Sequence, residues 1–417
     1  VNNGSQTGFG RTGTVDWDTT AKTSTVTAAN GVGYFVNTTG GVITVNLPAG
    51  TAGNIVAVSD YAGTAATNNI LISPNGSEKI QSGTDPARIY ENRDAITLVY
   101  VDATQGWLPV NNNEKSSVLP PAFVAATGGT TATSPCGDYK IHTFTGPGTL
   151  CVSCAGNPVG SSTVNYLVVA GGGAGGGRGG GGAGGLRTST SFPITVTGYP
   201  IEIGGGGAAP GPTGCKGATS SFATISSAGG GHGFGNSSVP ACANGGSGGG
   251  NGTDGTSTPI TGGTGNSPPV SPSQGNPGGG GSIPAPNTPS FAVAAGGGGA
   301  GAAGTNISFC GSTYVSGPGG AGLDVTPTFG AGLPNSGVYA GGGGGGADGR
   351  QTMSFGVGGT GGGGAGGGTP NPSIAGIAGT TNTGGGGGGA GVGPTPTPNG
   401  PAGAGGSGIV IVRYKFQ

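Results

Sequence analysis

Consecutive glycine is the feature that most restricts what this chain can become. The stretch GGGAGGGRGGGGAGG, residues 171–185, follows directly on the apolar run NYLVVA. Glycine loses more backbone freedom on ordering than any other residue, so a stretch of this kind is by default a flexible linker. Here the runs recur, with dense tracts at 204–207, 229–235, 245–252, 278–281, 296–304, 317–322, 341–349, 357–368, 384–393 and 403–408. Residues 171–408 hold 86 of the 107 glycines, against 17 in residues 1–140. The same region carries few charges, among them Arg178, Arg187, Lys216, Glu202, Asp254, Asp324 and Asp348. Disordered chains usually stay soluble through charge, so a nearly neutral glycine-dense chain is expected to pack.

The packing available to it is narrow. Collagen needs glycine strictly at every third residue, and the uneven interruptions at Ala174, Arg178 and Ala183 break that rule. The extended helix of three residues per turn, rising about 3.1 Å per residue, remains open to glycine and makes no internal hydrogen bonds. Alone it is solvated chain. Bundled, its amides and carbonyls can pair with neighbours on all sides, because only glycine lets backbones approach that closely. Short apolar elements precede the runs: YLVVA before Gly171, FATISSA before Gly229, FAVAA before Gly296 and VYA before Gly341. Their spacing is irregular, so no solenoid is expected. The chain closes on SGIVIVRYKFQ, an apolar strand expected to pair with VNYLVVA.

Upstream, from about Thr25 to Val110, apolar residues alternate with period two, in VITVNL, NIVAVSD, NILIS, AITLVYVD and GWLPV, separated by turn residues. In AITLVYVD both faces are apolar, which predicts cover on both sides, the second cover being another subunit. Residues 113–135 contain Pro-Pro and small polar residues without periodicity, as in a connector.

Chemistry is sparse. A net charge of −1 without a basic run gives no phosphate-binding footprint, and no apolar segment reaches the length of a bilayer span. Val1 opens no signal-peptide pattern, and its position implies processing or a longer parent chain. Six cysteines permit three disulfides or free thiols; the Cys151–Cys154 CxxC lacks the partners of a zinc or thioredoxin site. GGNGTD at 249–254 is too isolated for a calcium roll. Asp16 and Asp18 share a face if VDWD is a strand, yet surface charge accounts for them better than a glycosidase pair. His142 sits in a strand-like segment, and His232 lies within a glycine run with no nucleophile motif beside it. No enzyme and no cofactor are expected.

Several of these segments resemble known proteins. GRTGTVDWDTTAKT, GYFVNTTGGVITVNLPAG, GNIVAVSDYAGTAATNNILI and LVYVDATQGWLPVN are similar to a module common in tail fibres of marine bacteriophages. GDYKIHTFTGPGTL, VNYLVVAGGGAGG, FAVAAGGGG and GGSGIVIVRYKF are similar to the glycine-rich domain that often terminates such fibres. The resemblance implies a virion fibre, trimeric through its β-module, whose last domain touches the host surface. At the level of fold it extends to phage adhesins in which bundled polyglycine helices present variable loops.

The expected architecture is an all-β module at 1–112, a linker at 113–135, and a tip at 136–417. The tip is a glycine-rich domain of packed polyglycine-II-type helices framed by short β-strands, with runs over about 171–408 and a closing strand at 409–416. Essentially no α-helix is expected. The expected function is that of an extracellular tail-fibre adhesin in the virion, binding a bacterial glycan or outer-membrane protein and associating with itself and other fibre proteins, but with no nucleic acid. The alternative is a structural subunit of a filament or virion decoration, in which the glycine domain mediates assembly. Receptor contacts are assigned to the segments between runs at 252–277, 305–316, 323–329, 369–383 and 394–402. Within them Phe309, Tyr314 and Phe329 offer aromatic faces, while Asp324, Thr258 and Asn371 offer polar groups.

Overall fold

A computed structural model describes residues 15–111, 122–157, 160–209, 214–235, 239–253, 260–281, 293–310, 313–348, 353–368, 375–392 and 400–417. The chain forms two compact units, Val1–Phe123 with Gly156–Ser162, and Val124–Ala155 with Thr163–Gln417. Among the described residues the only α-helix is the four-residue α1 (Thr326–Phe329). The molecule is therefore all-β with a glycine-rich region.

The first unit holds β1 (Asp16–Lys22), β2 (Val26–Thr27), β3 (Val32–Val36), β4 (Ile43–Asn46), β5 (Ile55–Asp60), β6 (Ile70–Ser73), β7 (Ala87–Ile89), β8 (Ala95–Asp102) and β9 (Gly106–Asn111). Successive strands cross between two sheets, ordered β1-β3-β5-β8-β9 and β2-β4-β6-β7. Strands two apart in sequence thus become parallel neighbours, as in β1–β3–β5 and β2–β4–β6. The inward half of each alternating pattern, including Val45, Val56, Val58, Ile70, Ile72 and Leu98, forms one core that Trp107 completes. On β8, Ile96, Leu98 and Tyr100 point inward, whereas Val99 is half-buried and Val101 is 43% exposed. Among the described residues of this unit, no second cover lies on the face of Val99 and Val101.

The second unit begins with β10 (Val124–Thr127), β11 (Thr130–Thr133), β12 (Tyr139–Phe144), β13 (Gly148–Ala155), β14 (Thr163–Val169), β15 (Leu186–Pro193), β16 (Gly198–Glu202), β17 (Ser220–Phe222) and β18 (Ile225–Ser227). Short pairs follow: β19 (Gly252–Thr253) with β20 (Val293–Ala294), β21 (Ser308–Cys310) with β22 (Thr313–Val315), and β23 (Leu323–Asp324) with β24 (Val338–Tyr339). The closing strand is β25 (Ile409–Lys415). Two five-stranded antiparallel sheets, β10-β13-β16-β17-β18 and β11-β12-β25-β14-β15, enclose a core of Val124, Leu150, Val152, Tyr166, Phe222 and Val412 among others. β10 and β11 lie inside the stretch expected to be a connector. Pairing with β13 and β12 makes them strands, because partners rather than propensity decide a short, polar β-segment.

β14 and β25 pair from Asn165↔Arg413 to Val169↔Ile409, so the strands that open and close the glycine region meet as expected. Both are buried on two faces. Val164, Tyr166, Val168, Val410 and Val412 enter the sandwich core, while Leu167, Val169, Ile409 and Ile411 face a second cluster with Phe329, Leu333 and Tyr339. Continuous apolar runs suit a strand covered on both sides.

The glycine runs pack into a lattice. The amides of residues 171 to 176 donate in turn to the carbonyls of Ala218, Gly406, Gly182, Cys215, Gly403 and Gly179. Every third amide returns to the same neighbour, which is the hydrogen-bond pattern of a helix with three residues per turn. In residues 341–347 the pattern repeats: Gly341, Gly344 and Ala347 donate to Gly361, Gly364 and Gly367, Gly342 and Gly345 to Gly320 and Gly317, and Gly343 and Gly346 to Gly181 and Arg178. Three further segments donate to this one, through Gly297 to Gly343, Gly359 to Gly342 and Gly386 to Gly341. The segment is therefore surrounded on all sides by backbone. A β-carbon at Gly344 would lie 2.0 Å from the carbonyl oxygen of Gly356, and one at Gly180 would lie 2.1 Å from that of Gly343. No side chain fits there. Some alanines in and beside the runs stand against apolar clusters, Ala183 and Ala340 against one and Ala295 and Ala347 against another.

Candidate functional site

The direction of the runs gives the lattice two different poles. At one, residues 170–185 leave β14 and return to β15, and 400–408 descend into β25. This sheet pole is sealed by the cluster around Leu167, Phe329, Tyr339 and Ile411. At the other pole isolated bridges tie segment ends together: Phe234↔Asn251, Ile260↔Gly281, Val293↔Ala347, Val315↔Ser354 and Asp348↔Val392. An apolar plug of Ile260, Val293, Ile307, Tyr314 and Met353, with Phe355 packed on it, closes this pole. The residues flanking segments 254–259, 282–292, 349–352, 369–374 and 393–399 stand here, so all five segments originate from one end. Those segments lie outside the described residues. Four of them have Ser, Thr, Asn and Pro as their main components, and 349–352 is Gly-Arg-Gln-Thr, so they carry many groups that hydrogen-bond sugars and peptide backbones.

The residues assigned from sequence separate on this frame. Tyr314 is buried in the plug, and Phe329 is fully buried at the opposite pole, where it packs with the strands that close the unit. Neither presents a ring to a ligand, because each fills an apolar cap on the lattice. Asp324 is exposed, also at the sheet pole, and its carboxylate accepts the Thr326 amide at 2.8 Å. Hydrogen bonds from the Thr326 amide and hydroxyl hold its pKa below the ordinary carboxylate value. Phe309 lies on β21, but its side chain, like Thr258 and Asn371, is outside the described residues. The expected segment 252–277 divides between the poles, since Gln274 accepts the Leu186 amide beside β15.

A recess of about 400 Å³ opens at the sheet pole between β15 and the Ser271–Ser273 turn. Arg187, Ser189, Ser271 and Ser273 line it, and the buried Thr188 hydroxyl has no hydrogen-bond partner. It offers several hydroxyls and one cation to a small polar ligand. In the first unit, Asp18 is bonded to Lys22 Nζ at 2.6 Å, which makes it half of a surface ion pair and lowers its pKa. Among the described residues no group of three or more His, Cys, Asp or Glu side chains could hold a metal ion, and Cys136, Cys151, Cys154, Cys215 and Cys242 are free thiols.

Residues 145–415, about two-thirds of the chain, match the family model described as a glycine-rich domain. The match begins beside β13 and ends at the last residue of β25, and so spans the closed lattice and its framing strands. No curated protein matches the chain.

Proposed function

The chain belongs to the glycine-rich domain family, and on that premise we propose that it is a tail-fibre adhesin whose lattice presents variable segments to a bacterial surface receptor. The observation that carries this reading is that the residues flanking five inter-run segments, among them Ile260, Gly281, Val293, Asp348 and Val392, are bridged to one another at the pole opposite the sheets. A rigid base lowers the entropy lost when a surface binds a ligand. The receptor on this reading is a glycan or an outer-membrane protein, and the location is the virion.

One observation favours a second reading, assembly. The outer face of the β1-β3-β5-β8-β9 sheet exposes Trp17, Val101 and Val110 beside half-buried Phe35 and Val99, an apolar surface of the kind a homotrimer covers. On this reading the chain is a structural subunit of a filament or virion decoration.

Labelled protein added to a panel of bacteria separates the two, alongside a variant whose 254–259 and 369–374 segments are replaced by Gly-Ser turns of equal length. The adhesin reading expects selective cell binding that the variant loses at unchanged thermal stability and unchanged mass in solution. Binding to no cell, with formation of regular fibres by both proteins, would overturn it in favour of assembly.

A further inference from the structure

The lattice brings together two residues ten positions apart that the sequence does not pair. His232 sits inside the 229–235 run and is 7% exposed; Cys242 lies on the 3₁₀ turn Ala241–Ala243 and is exposed. The imidazole Nε2 is 2.9 Å from Cys242 Sγ, and Nδ1 is 2.7 Å from the Gly233 carbonyl oxygen. A carbonyl oxygen only accepts, so in the neutral ring the proton resides on Nδ1. The Nε2 lone pair then faces the thiol, which donates its S–H to it. Nucleophile, base and a group fixing the base's tautomer are thus arranged in line, the arrangement that activates a thiol.

The positions are fixed by backbone. The His232 amide donates to the Cys242 carbonyl at 3.2 Å, and the Gly249 amide donates to the Ala243 carbonyl at 2.9 Å. Phe234 packs edge-on to the imidazole at 6.4 Å between centroids. Among the cysteines whose side chains are described, this environment is particular to Cys242. Cys136 is bonded to the Ser134 hydroxyl, and the ring nitrogens of the chain's other histidine, His142, are bonded to Gly128 and Tyr414.

We propose that Cys242 is a nucleophilic thiol that opens disulfides, with His232 as its proton acceptor and donor. The Cys242 proton passes to His232 Nε2, and the thiolate attacks one sulfur of R–S–S–R. A Cys242–S–S–R bond forms as the original S–S bond breaks. The departing thiolate takes the proton from His232 and leaves as R–SH. Cys242 is oxidised and half of the disulfide reduced, so no other oxidant enters. The product is a covalent link between this surface and a sulfur-bearing ligand.

The test is reaction of the folded protein with the aromatic disulfide 5,5′-dithiobis(2-nitrobenzoate) and with glutathione disulfide, with the modified cysteine identified by mass spectrometry. Cys242 is expected to react roughly ten-fold or more faster than Cys151 and Cys154 near pH 6.5, where an ordinary thiol is mostly protonated. Cys242→Ser should abolish the fast phase, and His232→Gln should slow it by a similar factor. Should His232→Gln fail to fold, the pH profile of the native protein decides. A fast phase that persists below pH 7 supports the pair, whereas a rate that falls ten-fold per pH unit from pH 8 and matches that of Cys151 overturns it.

Discussion

The two units are held together by opposite parts of the residue. In the first, side chains carry the cohesion: Val36, Val45, Val58, Ile72 and Leu98 interlock in a core whose shape they define. In the lattice the side chain is missing and the backbone does the work, each run bonding to neighbours on every side. The energetic consequences differ. Ordering a residue costs about 1–2 kcal/mol, and a net hydrogen bond returns about 0.5–1.5 kcal/mol, so the lattice alone is close to neutral. Apolar burial at its two poles supplies the surplus, as it does throughout the first unit. Register differs as well. Interdigitated side chains permit one alignment, but a run of identical glycines could slide by one helical turn and remake equivalent bonds. The caps around Phe329 and Tyr314 are expected to forbid it.

The most severe way to break this comparison is to put side chains where the backbone carries the load. Gly344→Val with Gly345→Val would force methyl-bearing carbons to within about 2 Å of the carbonyl oxygens of Gly356 and Ala294. We expect the glycine-rich unit to lose its thermal transition and become protease-sensitive while the first unit melts unchanged. Gly205 lies in the 204–207 run, and a methyl group added to it would meet nothing within 4 Å. Gly205→Ala should therefore leave melting unchanged or raise stability slightly, by about 0.4–1 kcal/mol. Equal tolerance at both sites, seen by calorimetry, would remove the packed-backbone account.

The existence of the lattice was legible in the sequence because few other structures suit neutral, consecutive glycine. The closing pair β14–β25 was legible because an apolar terminal strand needs a partner. The fate of the aromatics was not. Phe329 and Tyr314 lie between runs like residues of a binding loop, and only the alternating direction of the runs reveals that each caps a pole. The same holds for His232 and Cys242, which no motif joins. Their proximity follows from the descent of 239–245 alongside the 229–235 run, a packing decision made by backbone and invisible in residue type.

Cavity mutations of intermediate effect sharpen the contrast in register. Leu98→Ala empties a fully buried position in the first unit, and Phe329→Ala does so at the sheet pole; typical costs are about 2–5 and 3–5 kcal/mol. The first should lower only its own transition. The second should also weaken amide-exchange protection along residues 340–346, because a loosened cap frees the run to slide. Full protection of those amides in Phe329→Ala would show that register is set elsewhere.

The smallest expected effect concerns pH, to which a glycine lattice is indifferent and the sandwich beneath it is not. His142 on β12 is fully buried, with Nδ1 2.6 Å from the Gly128 carbonyl oxygen and Nε2 3.0 Å from the Tyr414 hydroxyl. Burial holds its pKa below the ordinary value of 6.5. When the folded-state pKa is depressed in this way, the unfolded chain takes up the proton first as pH falls. The stabilisation is therefore complete above about pH 6.5 and is lost as pH drops from there towards the folded-state pKa. The melting temperature of the glycine-rich unit should fall between pH 7 and pH 5, and fall less in His142→Gln, whose side chain cannot charge. A parallel decline in both proteins would assign the sensitivity to another group, while a flat profile in the variant would place the unit's acid response in the strands that anchor the lattice.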